Sequence, residues 1–192
     1  MSEALVVIDF VNDIVNERGQ VAQFGAPKHV AQQNALGNAA KALEHARTIG
    51  TKVIFTRVCF SEGYPELDGV TAPFYVGHKV NGWLKKGTWG TEFDPAVKPL
   101  EDELVLDKAR VNPFWNPRLI TELEGIDTVY VMGVTTNFAV EEFVRNGAAL
   151  GLNIVVLEDC CASNSAELHA FSLENVLPKF STLSNSTEYV GE

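Results

Sequence analysis

Apolar residues in this chain fall into short β-branched runs, separated by stretches where they recur every three or four positions. ALVVIDF (4–10) is almost uninterrupted, as expected of a strand covered on both faces. KVIFTRV (52–58), ELVLDK (103–108), TVYVMG (128–133), NIVVLED (153–159) and FSTLS (180–184) have the same character and complete a set of six predicted strands. Between the first two, 27–49 predicts a helix with Val30, Leu36, Ala40, Leu43 and Ala46 on or near one face and Gly50 at its end. Pro113 and Pro117 bracket the turn VNPFWNPRL, which leads into a short helix ending near Leu123; two further helices are predicted over 137–150 and 165–177. The stretch 59–101 is rich in Gly, Pro and aromatic residues and reads as a long loop region with little regular structure, of the kind that builds walls or lids. Strand and helix alternation of this kind requires right-handed crossovers. It predicts a three-layer α/β/α domain with Rossmann-like topology and a six-stranded, mostly parallel sheet.

The length of 192 residues fits one domain spanning 1–192, which would bury roughly 70% of its unfolded surface. Composition narrows the function classes. The formal net charge is −10, from 25 acidic and 15 basic residues, and such a surface repels phosphate backbones, so no nucleic-acid partner is expected. No apolar run reaches the ~18 residues needed to cross a bilayer. MSEALVVIDF carries no basic region before its apolar stretch, so it reads as a first strand rather than a signal peptide, and a cytoplasmic protein without membrane contact is expected. Cys59, Cys160 and Cys161 are odd in number, two of them adjacent, which fits reduced thiols. None of the four histidines stands at zinc-ligand spacing from a cysteine, and neither a metal nor a cofactor is expected.

In a parallel sheet, ligands bind beyond the carboxyl ends of the strands, where the strand order reverses. The polar residues predicted at that edge are Asp9 after the first strand, Asp107 and Lys108 after the third, the turn from Gly133 to Ala139 after the fourth, and Glu158, Asp159 and Cys160 after the fifth. Asp9 follows five apolar residues, so its carboxylate is expected to be partly buried, with Lys108 as the natural counterion. A second role is equally open to it, capping a loop through backbone N–H groups. No phosphate-binding glycine loop follows the first strand, since the chain continues VNDIVNERG. Thr135 and Thr136 suit closing the turn and capping the helix that follows. Cys59, Cys160 and Cys161 suit small buried hydrophobes, and His169 a structural or interface role. An aromatic wall is expected from Phe60, Tyr64, Phe74, Tyr75, Trp83, Trp89, Phe114, Trp115 and Phe138, around a small-molecule substrate.

IDFVNDIV with Asp9, the strand-closing Lys108, and GVTTNFAVEEFVRNGAALGLNIVVLEDCCAS together resemble the isochorismatase-like, or cysteine hydrolase, superfamily over nearly the whole chain. The resemblance implies a helix-flanked parallel sheet, homo-oligomers (dimers or tetramers) with sites near subunit contacts, and hydrolysis of small amides or, in one branch, of a vinyl ether. Most members use an Asp-Lys-Cys triad. Asp9 and Lys108 match its first two members, and the cysteine falls at Ala139, whose methyl group cannot form a covalent intermediate. The isochorismatase branch also lacks the thiol; there the aspartate acts as general acid on an enol ether and water then attacks. Asp9-activated water attacking an amide is the other route that needs no thiol. Backbone N–H groups at Phe138 and Ala139 are expected to hold a substrate oxygen, with Thr135, Phe60, Trp89 and Trp115 as further substrate contacts and GTWGTEF closing the site region. Nicotinamidase-like relatives bind a metal through histidines after the second strand, whereas here TRVCFSEGYPEL has none before His78, so no metal site is implied. The reading is a hydrolase without a cysteine nucleophile. Its alternative is a non-catalytic ligand-binding or assembly member of the same fold.

Overall fold

A computed structural model describes residues 2–192. Its strands are β1 (Glu3–Ile8), β2 (Lys52–Val58), β3 (Leu104–Lys108), β4 (Thr128–Val134), β5 (Ile154–Ala162) and β6 (Thr182–Ser184). They form one sheet in the order β3-β2-β1-β4-β5-β6, with every neighbouring pair parallel. The helices are α1 (Asn12–Val15), α2 (Ala26–Gln32), α3 (Ala35–Ile49), α4 (Pro73–Asn81), α5 (Arg118–Glu122), α6 (Glu141–Ala149), α7 (Ala166–Asn175) and α8 (Ser186–Val190), and they cover both faces of the sheet. Residues 4–8 of β1 are completely buried, which accounts for their unbroken apolar run: in a central parallel strand neither face meets water. The strand order reverses between β1 and β4, so the site expected at a reversal point lies beyond Ile8 and Val134.

Gly133 makes the approach of these two strands possible. Its φ of +143° is disfavoured for any residue with a side chain, and a Cβ there would stand 2.2 Å from the Ile8 carbonyl oxygen. On one face α3 buries Ala35, Ala39, Ala42, Leu43 and Ala46, and Gly50 ends it in the left-handed conformation with φ +73°. On α6, Phe143, Val144 and Gly147 are buried, and Phe114 stacks on Phe143 with ring centroids 5.0 Å apart.

Four expectations are corrected. The single helix over 27–49 is two, α2 and α3, separated at Asn34, which adopts φ +52°; Asn38 braces the break by donating to the carbonyls of Gln33 (3.3 Å) and Asp159 (3.0 Å). The apolar periodicity runs on across the break and conceals it. The stretch 59–101 contains α4, which has proline in its first turn and Gly82 at its end, both ordinary helix signals. Its exposed Phe74, Val76 and Val80 blur the amphipathic pattern. Next, β5 runs on to Ala162, with a register shift against β4 between Val131 and Gly133, so the sheet edge is reached at Ser163 and Asn164 rather than at Glu158 to Cys160. Finally, α8, capped by the Asn185 side chain accepting from the Glu188 N–H at 2.9 Å, was not foreseen.

Candidate active site

Asp9 sits one residue past β1 with φ +55°, a conformation that Asp tolerates better than most residues, and its N–H donates to the Thr56 carbonyl at 3.0 Å. This bend turns the carboxylate across the end of β2. There Oδ1 accepts from the Val58 N–H at 2.8 Å and Oδ2 accepts from Lys108 Nζ at 2.6 Å. The ammonium also donates to the carbonyls of Arg110 (3.0 Å) and Val111 (3.1 Å), which occupies all three of its protons. The two side chains are 4% and 1% exposed. Burial raises the pKa of Asp9 above its ordinary value; the charge and hydrogen bond of Lys108 and the Val58 N–H oppose that shift.

The pair lies in the wall of a cavity of about 410 Å³, together with Val58, Val111, Val134, Thr135, Phe138 and Ala139. Six further aromatic side chains, Phe24, Phe60, Phe74, Tyr75, His78 and Trp83, also line it. Phe138 meets Phe74 (5.6 Å between centroids), Phe74 meets His78 (4.7 Å), His78 meets Trp83 (5.7 Å) and Trp83 meets Phe24 (5.6 Å), a continuous strip of edge-on and tilted contacts. Phe60, fully buried, and Tyr75 complete it. His78 is held by Nδ1–H donating to the Phe74 carbonyl at 2.7 Å, and burial lowers its pKa.

Beneath the cavity, the turn after β4 is braced by a polar layer. Residues 136–140 form a single π-helical turn that leads into α6. Gln33 Nε2–H donates to His169 Nε2 (3.1 Å), and His169 Nδ1–H donates to Thr136 Oγ1 (2.8 Å). The Ser163 hydroxyl donates to Asn137 Oδ1, while the Ser163 N–H donates to His29 Nδ1 at 3.0 Å. Both histidines are buried neutral, and burial pushes His169 down to about 4.

Of the residues singled out in the sequence, Asp9, Lys108, Ala139, Thr135, Phe138 and Phe60 line the one cavity, as do Phe74, Tyr75 and Trp83. Trp89 and Trp115 do not. Trp89 is 40% exposed beneath the Arg18 guanidinium, and Trp115 is 57% exposed with Arg110 stacked on it at 4.5 Å, beside a separate shallow depression. The Phe138 N–H, expected to meet a substrate oxygen, donates to the Thr135 carbonyl at 3.1 Å. Of the two glycines of GTWGTEF, Gly87 stands in open space in the left-handed conformation with φ +81°, whereas Gly90 serves packing, because a Cβ there would collide with the buried Asp13 carboxylate, whose Oδ2 accepts from the Leu84 N–H at the cavity wall. His169 supports the turn. Cys59 and Cys161 are pushed up to about 12 and Cys160 is also raised, chiefly by burial, so all three are inert thiols. Sequence reasoning missed His78, Phe24 and Asn164 in the cavity wall; the proline and glycine bounding α4 were the signal that would have placed His78. Among the described residues no group of three or more His, Cys, Asp or Glu side chains is arranged to hold a metal ion, and no helix is long and apolar enough to cross a membrane.

An uncharacterized isochorismatase family protein from Escherichia coli O157:H7 is 29% identical, covering 96% of this chain and 93% of the relative. A ureidoacrylate amidohydrolase from Acinetobacter baylyi is 28% identical over 97% of this chain and 82% of its own length. The crystal structure of an isochorismatase-like hydrolase from Alkaliphilus metalliredigens superposes with a TM-score of 0.76 at 26% identity, covering 100% of this chain and 98% of that one. The isochorismatase domain profile matches residues 3–188, and the chain belongs to the isochorismatase family of hydrolases.

Proposed function

We propose that this protein hydrolyses a small molecule, an enol ether or an amide-type C–N bond, with Asp9 moving the proton, Lys108 holding it in place, and water instead of sulfur as nucleophile. The observation that carries the reading is the buried contact of Asp9 Oδ2 with Lys108 Nζ at 2.6 Å in the wall of the same cavity as Ala139. Ala139 stands where the resemblance puts the family's thiol. The buried cysteines elsewhere, with raised pKa values, are poor substitutes for it. Burial raises the pKa of Asp9 against the opposing charge of Lys108, which brings its acid form nearer to the working pH. As an acid, Asp9 gives its proton to the vinyl carbon of an enol ether. Water then adds to the resulting oxocarbenium and returns a proton to the carboxylate, and the hemiketal breaks down to a ketone and an alcohol. As a base, the carboxylate takes a proton from water as oxygen adds to an amide carbonyl. It hands that proton to the departing nitrogen, leaving a carboxylic acid and an amine.

One observation favours the second reading, a ligand-binding member without catalysis: both Asp9 oxygens and all three Lys108 protons are already satisfied within the protein, as in a structural ion pair. Asp9→Asn separates the two. The hydrolase reading expects turnover of small amides or enol ethers in the wild type and its loss in the variant, with circular dichroism unchanged. Undiminished turnover in Asp9→Asn, or none in the wild type across a panel of both bond types, would overturn it.

A further inference from the structure

The charged side chains in the cavity wall are Asp9 and Lys108, and they neutralise each other. Every Lys108 proton is occupied, so no cation is left there to meet a carboxylate or phosphate on an incoming molecule. An anion entering the cavity loses its hydration and finds no counterion, in a protein of net charge −10 that already repels it. The walls offer flat apolar contact instead, from Phe24, Phe60, Phe74, Trp83 and Phe138.

Thr135, Asn164 and Tyr75 also bring uncharged polar groups to this wall, and among them His78 is the one clamped between aromatic rings. Its Nδ1 is tied back to its own helix through the Phe74 carbonyl at 2.7 Å, which assigns the proton to that nitrogen. The ring is fixed between Phe60, Phe74 and Trp83, with centroids 5.7, 4.7 and 5.7 Å away. Nε2 is then a hydrogen-bond acceptor with no partner among the described residues, on the ring edge that Nδ1 leaves free. Burial keeps the imidazole neutral and the lone pair available.

We propose that the cavity selects an uncharged, flat molecule carrying an N–H or O–H donor, and that His78 is the specificity-determining residue, accepting that donor at Nε2 while the aromatic walls hold the molecule's faces. This rests on the cavity being the active site but not on Asp9 transferring a proton, because binding alone expresses it.

Three probes of one shape test it: 2-naphthamide (uncharged, with N–H donors), 2-naphthoate (the anion) and 2-acetonaphthone (uncharged, without a donor), titrated into the protein by calorimetry or protein-observed NMR. The amide is expected to bind about tenfold or more tighter than either of the others, the range one well-placed buried hydrogen bond supplies. His78→Phe keeps the ring and removes the acceptor; it should bring the amide and the ketone to within about twofold while ketone affinity holds. His78→Gln, which can place an amide oxygen near the lost nitrogen, should recover part of the amide preference. Equal binding of amide and naphthoate, full amide preference in His78→Phe, or no binding of any probe to the wild type would each overturn the proposal. The Asp9→Asn turnover measurement reports on hydrolysis separately, so failure of one reading leaves the other visible.

Discussion

Lys108 Nζ lies 2.6 Å from Asp9 Oδ2 across 99 residues of chain, in a contact almost wholly removed from water. Two ions so placed lose several kcal/mol of hydration each, and the pair persists because each atom is fully hydrogen-bonded. Removing one partner strands the other. Lys108→Met is therefore expected to destabilise the protein by about 3 kcal/mol or more, whereas the apolar double variant Asp9→Leu/Lys108→Met should recover much of that loss. Urea denaturation of both checks this; a single variant no less stable than the double would show that the charge is not the cause.

The sign of the pH dependence distinguishes the two chemistries open to Asp9. Its folded pKa is raised above 3.8 because burial outweighs the Lys108 charge. As a general acid, Asp9 works while protonated, so kcat/KM should fall as pH rises through that raised value. As a general base the same titration produces a rising limb. With enol ethers we expect the falling limb, displaced above the ordinary carboxylate range. A profile flat across the acid range would separate Asp9 from the proton transfer.

The fold was legible from the sequence because its strands are marked by short runs rather than by tertiary accident: β1, β2, β4 and β5 are apolar, β-branched stretches of strand length that alternate with helical segments, as buried parallel strands require. The Asp9 and Lys108 contact was legible because both residues close strands of one parallel sheet, which brings their ends to one edge. Side-chain aim was not. Trp89 and Trp115 flank turns and resemble wall residues in sequence, yet each lies on the surface under an arginine, while His78 reaches the cavity from α4, whose amphipathic pattern the exposed Phe74, Val76 and Val80 blur. The distinction can be measured. Phe74→Ala, which opens the aromatic strip, should raise KM about tenfold, while Trp89→Ala and Trp115→Ala should leave it within about twofold.

The histidine layer beneath the turn couples the site to pH by a different route. His169 is held neutral, its pKa pushed down to about 4 by burial and by neighbouring His29, whereas in the unfolded chain it titrates near 6.5. The unfolded state therefore binds more protons in this interval. Stability contributed by His169 is full above pH 6.5 and is lost as pH falls from there through about 4, a loss on the order of 2 kcal/mol after allowing for solvent screening. In His169→Gln the unfolding free energy should vary less between those two pH values. An unchanged slope would mean that other groups govern acid stability.

Ala139 gives the most direct test of the site's geometry. It is 4% exposed and shares the cavity wall with Asp9 and Lys108. A thiol placed there enters a site holding a carboxylate that can take its proton and an ammonium that stabilises the thiolate, the conditions that lower a cysteine pKa. The three native thiols provide a quiet background, since Cys59 and Cys161 are pushed up to about 12 and Cys160 is raised as well. Ala139→Cys is thus expected to take up one equivalent of iodoacetamide near neutral pH at least about tenfold faster than the wild-type cysteines react. The added Asp9→Asn substitution should return it to the background rate. If the new thiol is as inert as the old ones, Asp9 and residue 139 do not face each other across the cavity, and water held between them is no longer a workable nucleophile.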